Sequence, residues 1–257
     1  YASGLISAPV EVTIAPFERL ATPEIEINEM ILSWSPIDGA ISYKVYINGL
    51  PLSNIITETT FDLTSHLEPG MNTVQLQAIA NPATHLDSLM SDSVEVIVKE
   101  YVTNDVQLKA ALDENVSYIV LANDIELTGV WPQVTTIFTG TLDGDGHAII
   151  NLVVEGSATG MIKTLGNGAT FKNITFINAQ ARNFSGANDG IIANTVSSGA
   201  VVTFENVALV DAVSNSSVAG SSRSTHGALI ATYGTTTDMQ VSIRLTNVYI
   251  QYTHNIT

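Results

Sequence analysis

The chain has 257 residues, 45% hydrophobic and only 13% charged, with a net charge of −16 and no cysteine. Disulfides, zinc–thiolate sites and thiol nucleophiles are excluded. Acids outnumber bases by 13 to 3 in residues 1–100 and by 12 to 6 in residues 101–257, so neither half offers a basic stripe for nucleic acid or an anionic lipid surface.

No run of about 18 apolar residues occurs, so no membrane-spanning helix is expected. A surface built from Ser, Thr and Asn rather than charge fits a β-rich extracellular protein. The sequence opens on Tyr1 without the basic and apolar segments of a secretion signal, and reads as a piece of a longer secreted or wall-attached polypeptide.

Residues 8–100 read as a β-sandwich of about seven short strands separated by turn signals. "EMILSWSP" gives a strand holding Trp34 and closed by Pro36. "ISYKVYING" alternates and ends in Asn48-Gly49, a strong hairpin turn. "TTFDLT" follows, then the turn "LEPG". "NTVQLQAIA" sets Val74, Leu76 and Ala78 on one face, and "DSVEVIVKE" does the same with Val94, Val96 and Val98. Trp34 is expected in the core.

In residues 101–257, "TNDVQLKAALDEN" predicts the one helix. Thr103 or Asn104 caps it, and Val106, Leu108, Ala111 and Leu112 are expected to form its apolar stripe. Related segments follow: "FKNITFINAQ", "FENVALVDAV" and "LTNVYIQYTH", with asparagines at 173, 206 and 247 spaced 33 and 41 residues apart. "IINLVVEG" offers an earlier copy at Asn151, and "GMI", "GII" and "GALI" begin at 160, 190 and 227. A repeated strand–turn–strand unit with loops of varying length predicts a solenoid, read as a right-handed parallel β-helix. Asn151, Asn173, Asn206 and Asn247 are expected to stack as a structural ladder, each amide bonding the next. The helix is expected to cap the first rung. The last rung is expected to be covered by further chain or by a partner.

Two resemblances come with these segments. "ILSWSPIDGAISYKVYING" with "LEPGMNTVQLQAIA" resembles a fibronectin type III domain of the bacterial kind, over about 90 residues. The departure is Thr73, where that family has a tyrosine that closes a corner. "YIVLANDIELTGVWPQVTTIFTGTLDGDGHAIINLVV" with "GMIKTLGNGATFKNITFINA" resembles bacterial surface β-helices of the GLUG-repeat type. "GMIKTLG" and "GALIATYG" lack that family's closely spaced second glycine. The resemblance implies a domain of a large secreted or wall-attached protein that adheres to or processes glycans. It supplies no catalytic residue.

Chemistry-bearing residues are few. "FTGTLDGDGHAIINLVV" spaces Asp143, Asp145 and His147 by glycines. Asp143 and Asp145 are candidate Ca2+ ligands, but the closing acid of a calcium loop is missing. The competing reading is a turn in which Gly144 and Gly146 reverse the chain and the aspartates bond local amides. Arg223 and His226 in "SSRSTHG", with Arg182 and Asp189 in "ARNFSGANDG", can flank a ligand groove without matching a catalytic motif. Trp131, Phe138, Phe184, Tyr233, Tyr249 and Tyr252 are available to stack on sugars. Tyr233 and Tyr252 are the better exposed of these, while Phe171, Phe176 and Phe204 point inward. Asn-x-Ser/Thr sequons at 115, 173, 183, 215 and 255 are near what this composition produces by chance.

These features predict a non-catalytic extracellular surface module for adhesion, for carbohydrate or partner binding, or for spacing. No cofactor is required; glycans or cell-surface proteins are its partners. The alternatives are a fragment of a polysaccharide lyase or glycoside hydrolase, and a structural subunit of a surface layer or phage decoration.

Overall fold

The computed structural model describes residues 17–156, 160–183, 189–216, 226–232 and 241–256. They fall into two compact units, one running up to Leu67 and resuming over Asn72–Val96, the other formed by Glu68–Met71 and Ile97 onward.

The first unit is mainly antiparallel, with one short parallel pair between Glu18–Arg19 and His85–Leu86. Ile25–Asn28, Ile31–Trp34 and Thr60–Asp62 make a three-stranded sheet. Leu50–Pro51, Ala40–Ile47, Gly70–Ala80 and Val94–Val98 make a four-stranded one. The alternation in the sequence sets the faces: Val45, Val74, Leu76 and Ala78 are fully buried. Trp34 and Tyr43 meet edge-on in the core with ring centroids 5.1 Å apart. Asn48 and Gly49 both hold positive φ (52° and 78°), as a two-residue hairpin loop requires. Thr73, at the expected tyrosine position, instead donates its backbone N–H to Asn48 Oδ1 at 2.9 Å, and Asn48 N–H returns a bond to Thr73 O. Beyond the sheet edge, Ser88 Oγ and Ser91 Oγ accept the N–H groups of Ala78 and Leu76.

The second unit is a parallel β-helix. Glu100–Val102, Tyr118–Leu121, Thr141–Asp143, Thr170–Ile177 and Val201–Ser216 pair in sequence order, each parallel to the one before. Val201–Ser216 then carries Ser242–Thr246 and Tyr249–Ile256. A second column runs through Val134–Phe138, Ile162–Leu165, Ala193–Val196 and Ile230–Thr232. Inward residues stack in register: Leu142, Phe171, Phe204 and Leu245 in one file, Ile149, Phe176, Leu209 and Ile250 in another. The Phe171 and Phe204 rings lie 5.3 Å apart and within 12° of parallel. Phe204 and Leu209 are fully buried, whereas Leu245 and Ile250, on the last described rung, are 56% and 41% exposed. Phe138 and Trp131 are core residues, not sugar platforms.

The helix spans Asp105–Asp113, and Asn104 caps it by accepting Gln107 N–H at 3.0 Å. Leu108, Ala111 and Leu112 enter the core of the β-helix. Val106 does not: it is 73% exposed. Two residues turn a helix through about 200°, so Val106 and Leu108 cannot share a face.

Candidate functional site

The turn at Asp143 is a structural knot. Asp143 is buried. Its Oδ1 accepts Asp145 N–H at 3.0 Å and Asn173 Nδ2 at 3.1 Å. Its Oδ2 accepts the Tyr118 hydroxyl at 3.0 Å and faces Lys172 Nζ at 3.3 Å. Burial pushes the Asp143 pKa up, but the bonds from Asp145, Asn173, Tyr118 and Lys172 outweigh it and hold the carboxyl below its ordinary range. The Tyr118 hydroxyl and then Asp143 hold Lys172 above its ordinary range against desolvation. Lys172 and the exposed Lys99 place their ammonium groups 5.1 Å and 5.2 Å from the Tyr118 ring centroid.

Both Asp143 oxygens are thus engaged with groups of this chain. Asp145 sits at positive φ in the turn. His147 Nδ1 pairs with Asp124 Oδ1 at 3.2 Å, and the same oxygen accepts Ala148 N–H at 2.9 Å. Those two contacts, the backbone bond first, lower the Asp124 pKa. Among the described residues no three His, Asp or Glu side chains gather as metal ligands.

Gly144 departs from the expected turning role. It has no positive φ; a Cβ there would lie 2.4 Å from Asn173 O and 2.6 Å from Ile174 Cα of the next rung. Asp145 (φ 50°) and Gly146 (φ 89°) turn the chain.

The amide ladder has a different membership from the expected one. Asn247 Nδ2 donates to Asn206 Oδ1 at 3.0 Å, Asn206 to Asn173 at 2.9 Å, and Asn173 to Asp143. Asp143 is the terminal acceptor. Asn151 belongs to a separate column: it accepts from Asn178 Nδ2 at 2.7 Å and donates to Glu126 Oε1 at 3.1 Å. In a third link, Gln251 donates to Asp211 at 3.1 Å. Every column ends in a carboxylate because an ionised carboxylate only accepts. Asn151, Asn173, Asn178, Asn206, Asp211 and Asn247 all hold φ between 49° and 61°, a region asparagine and aspartate tolerate. The second column was signalled only by Asn178 lying five residues after Asn173, as Asp211 does after Asn206.

Of the proposed ligand-groove residues, Arg182 turns its guanidinium onto Gln180 Oε1, at 3.2 Å from Nε and 2.9 Å from Nη2. Backbone register sets Asp189 opposite His226 on paired two-residue strands. Tyr252 pairs through its backbone with Ala212. The side chains of Asp189, His226 and Tyr252, and all of Phe184, Arg223 and Tyr233, lie outside the described residues. Tyr249 is 59% exposed.

The stacked parallel rungs define the class as a β-helix. The model of a family described as "Putative pectate lyase-like adhesive domain" matches residues 99–218, from the strand before the capping helix to the end of the longest strand. Over 76 residues the chain is 41% identical to halomucin from Haloquadratum walsbyi, an alignment covering 25% of this chain and 1% of that protein. A pectate lyase from Pectobacterium carotovorum is matched structurally at 14% identity with a TM-score of 0.22, over 81% of this chain and 79% of that one.

Proposed function

We propose that the chain is a non-catalytic extracellular module of a secreted or wall-attached protein, adhering to glycans or cell-surface proteins. The observation that carries this reading is the match of residues 99–218 to an adhesive domain family. The electrostatics support it. Glu126, Asp143 and Asp211 accept amide bonds from neighbouring rungs, and Asp124 holds Ala148 and His147. Hydrolysing a glycosidic bond needs two carboxylates turned to one substrate, whereas these serve the scaffold. No cofactor belongs to this reading; with Lys172 on Asp143, adding CaCl2 is expected to leave the melting temperature unchanged.

Within the proposal, residues 8–100 are a fibronectin type III-like sandwich, supported by the paired antiparallel sheets around Trp34. Residues 101–257 are a right-handed β-helix of GLUG-repeat type. The general handedness of parallel crossovers supports the hand, and the backbone links from Met161 to Ile191 and from Ile192 to Leu229 support the repeat. The inward Leu245 and Ile250, left exposed on the last described rung, offer an apolar surface to further chain or a partner.

The test is direct. Labelled protein is applied to a glycan array and to cells, and in parallel incubated with pectins, alginates and mucins. Retention without new chain ends is expected. Unsaturated products or new reducing ends would overturn the proposal in favour of a carbohydrate-active enzyme.

A further inference from the structure

The exposed Val106 stands on the rim of a cavity. The outward face of helix Asp105–Asp113 and the segment 127–132 flank a half-open hollow of about 340 Å3, lined on the helix side by Asp105, Val106, Lys109, Ala110 and Asp113. The opposite lip carries Val130, itself 50% exposed. The volume sits at the low end of the roughly 300–1,000 Å3 of small-molecule sites, room for a single small ring system.

Both walls are held in place. The helix is capped and its inner face is locked into the core. On the other side, Trp131 N–H donates to Val153 O at 2.7 Å, and the indole Nε1 donates to Met161 O at 3.0 Å. Val130 forms a parallel bridge with Val153. Two exposed valines on facing lips of a fixed cavity are not explained by the packing of the core.

The lining has two chemical characters. Val106, Ala110, Val130 and Pro132 offer an aliphatic surface, which suits the C–H face of a saturated ring. One helical turn apart, Asp105, Lys109 and Asp113 offer acceptors and a donor for hydroxyl groups. Lys109 is paired with Asp113, so the two acids and one base of the wall leave one net negative charge. In a chain of net charge −16, this rim repels an incoming carboxylate or sulfate and tolerates a neutral or cationic group.

We propose that this cavity is a carbohydrate subsite for a hexopyranose unit without an acidic group, neutral or amine-bearing, and that it discriminates against polyuronates. The inference rests on the adhesive reading above and narrows it to one ligand class.

The full chain is titrated with cello-oligosaccharides, chitosan oligosaccharides and oligogalacturonides to millimolar concentration, followed by calorimetry or NMR. The first two are expected to bind, and oligogalacturonides at least about tenfold more weakly. Val106→Trp, which fills the cavity from an exposed position, is expected to weaken binding about tenfold or more at unchanged melting temperature. Val130→Trp on the facing lip does the same from the other side, should the first variant unfold. The proposal is overturned if both folded variants bind like the parent, if oligogalacturonides bind as tightly as the others, or if no sugar binds. Cell or protein adhesion without sugar binding overturns the subsite and leaves the adhesive reading standing. Polysaccharide cleavage removes that reading, while cavity occupancy is still decided by the two tryptophan variants.

Discussion

Asp143 joins three rungs: Tyr118 comes from the one before, Asn173 and Lys172 from the one after. Its folded pKa is depressed, so it stabilises the fold above the ordinary carboxylate value of 3.8. That stability is lost as pH falls through the lower folded value. Asp143→Asn is expected to cost about 1.5–3 kcal/mol at neutral pH. The gap between parent and variant should close in urea titrations taken progressively below about pH 4; a gap independent of pH would refute the charge-based account. The ladder asparagines carry two duties, positive φ and a side-chain bond. Asn206→Gly keeps the first and loses the second, whereas Asn206→Ala loses both. Alanine should therefore be the more damaging by roughly 1–2 kcal/mol, measured by chemical unfolding.

At the scale of elements, each turn between short strands is set by what lies on the next rung. Gly144 and Gly146 are two residues apart and look alike in the sequence, yet they answer to different constraints. At Gly146 there is open space and φ is 89°, so Gly146→Ala is expected to cost about 1–2 kcal/mol of backbone strain. At Gly144 a Cβ meets backbone at 2.4 Å. Gly144→Ala is expected to reach or exceed the roughly 3 kcal/mol upper range of overpacking. Parallel urea melts of the two variants check the order; equal losses would mean that rung spacing at Asn173 relaxes freely. The capping helix shows the same dependence. The rung beneath it took Leu108, Ala111 and Leu112, while Val106, expected in the same stripe, faces away.

At the scale of the molecule, each unit has its own core, with Trp34 and Leu76 in one and the phenylalanine file in the other. Phe171 touches Phe138 on one side and Phe204 on the other, at 6.0 Å and 5.3 Å between ring centroids. Phe171→Ala should cost about 3–5 kcal/mol. With Phe204→Ala added, the loss should fall short of the sum, because the stacked contact is removed only once. A double-mutant cycle by thermal or chemical unfolding measures the shortfall; strict additivity would show that the stacked pair contributes nothing beyond burial.

Local alternation and turn chemistry were enough to read strands in "EMILSWSP", "ISYKVYING" and "NTVQLQAIA", the Asn48-Gly49 turn, a helix cap at Thr103 or Asn104 and the repeat around Asn173, Asn206 and Asn247. Each of those follows from residues within a few positions of one another, or from a repeat visible along the chain. Which residue meets which across rungs was settled only by the tertiary structure. Asp143 ends the first ladder, Asn151 starts from Glu126 in another, and Gly144 is held small by Asn173. Val106 faces a hollow whose opposite lip is Val130. These pairings depend on loop lengths that bring positions about 25 to 41 residues apart into register, and no local rule of period or propensity encodes that register.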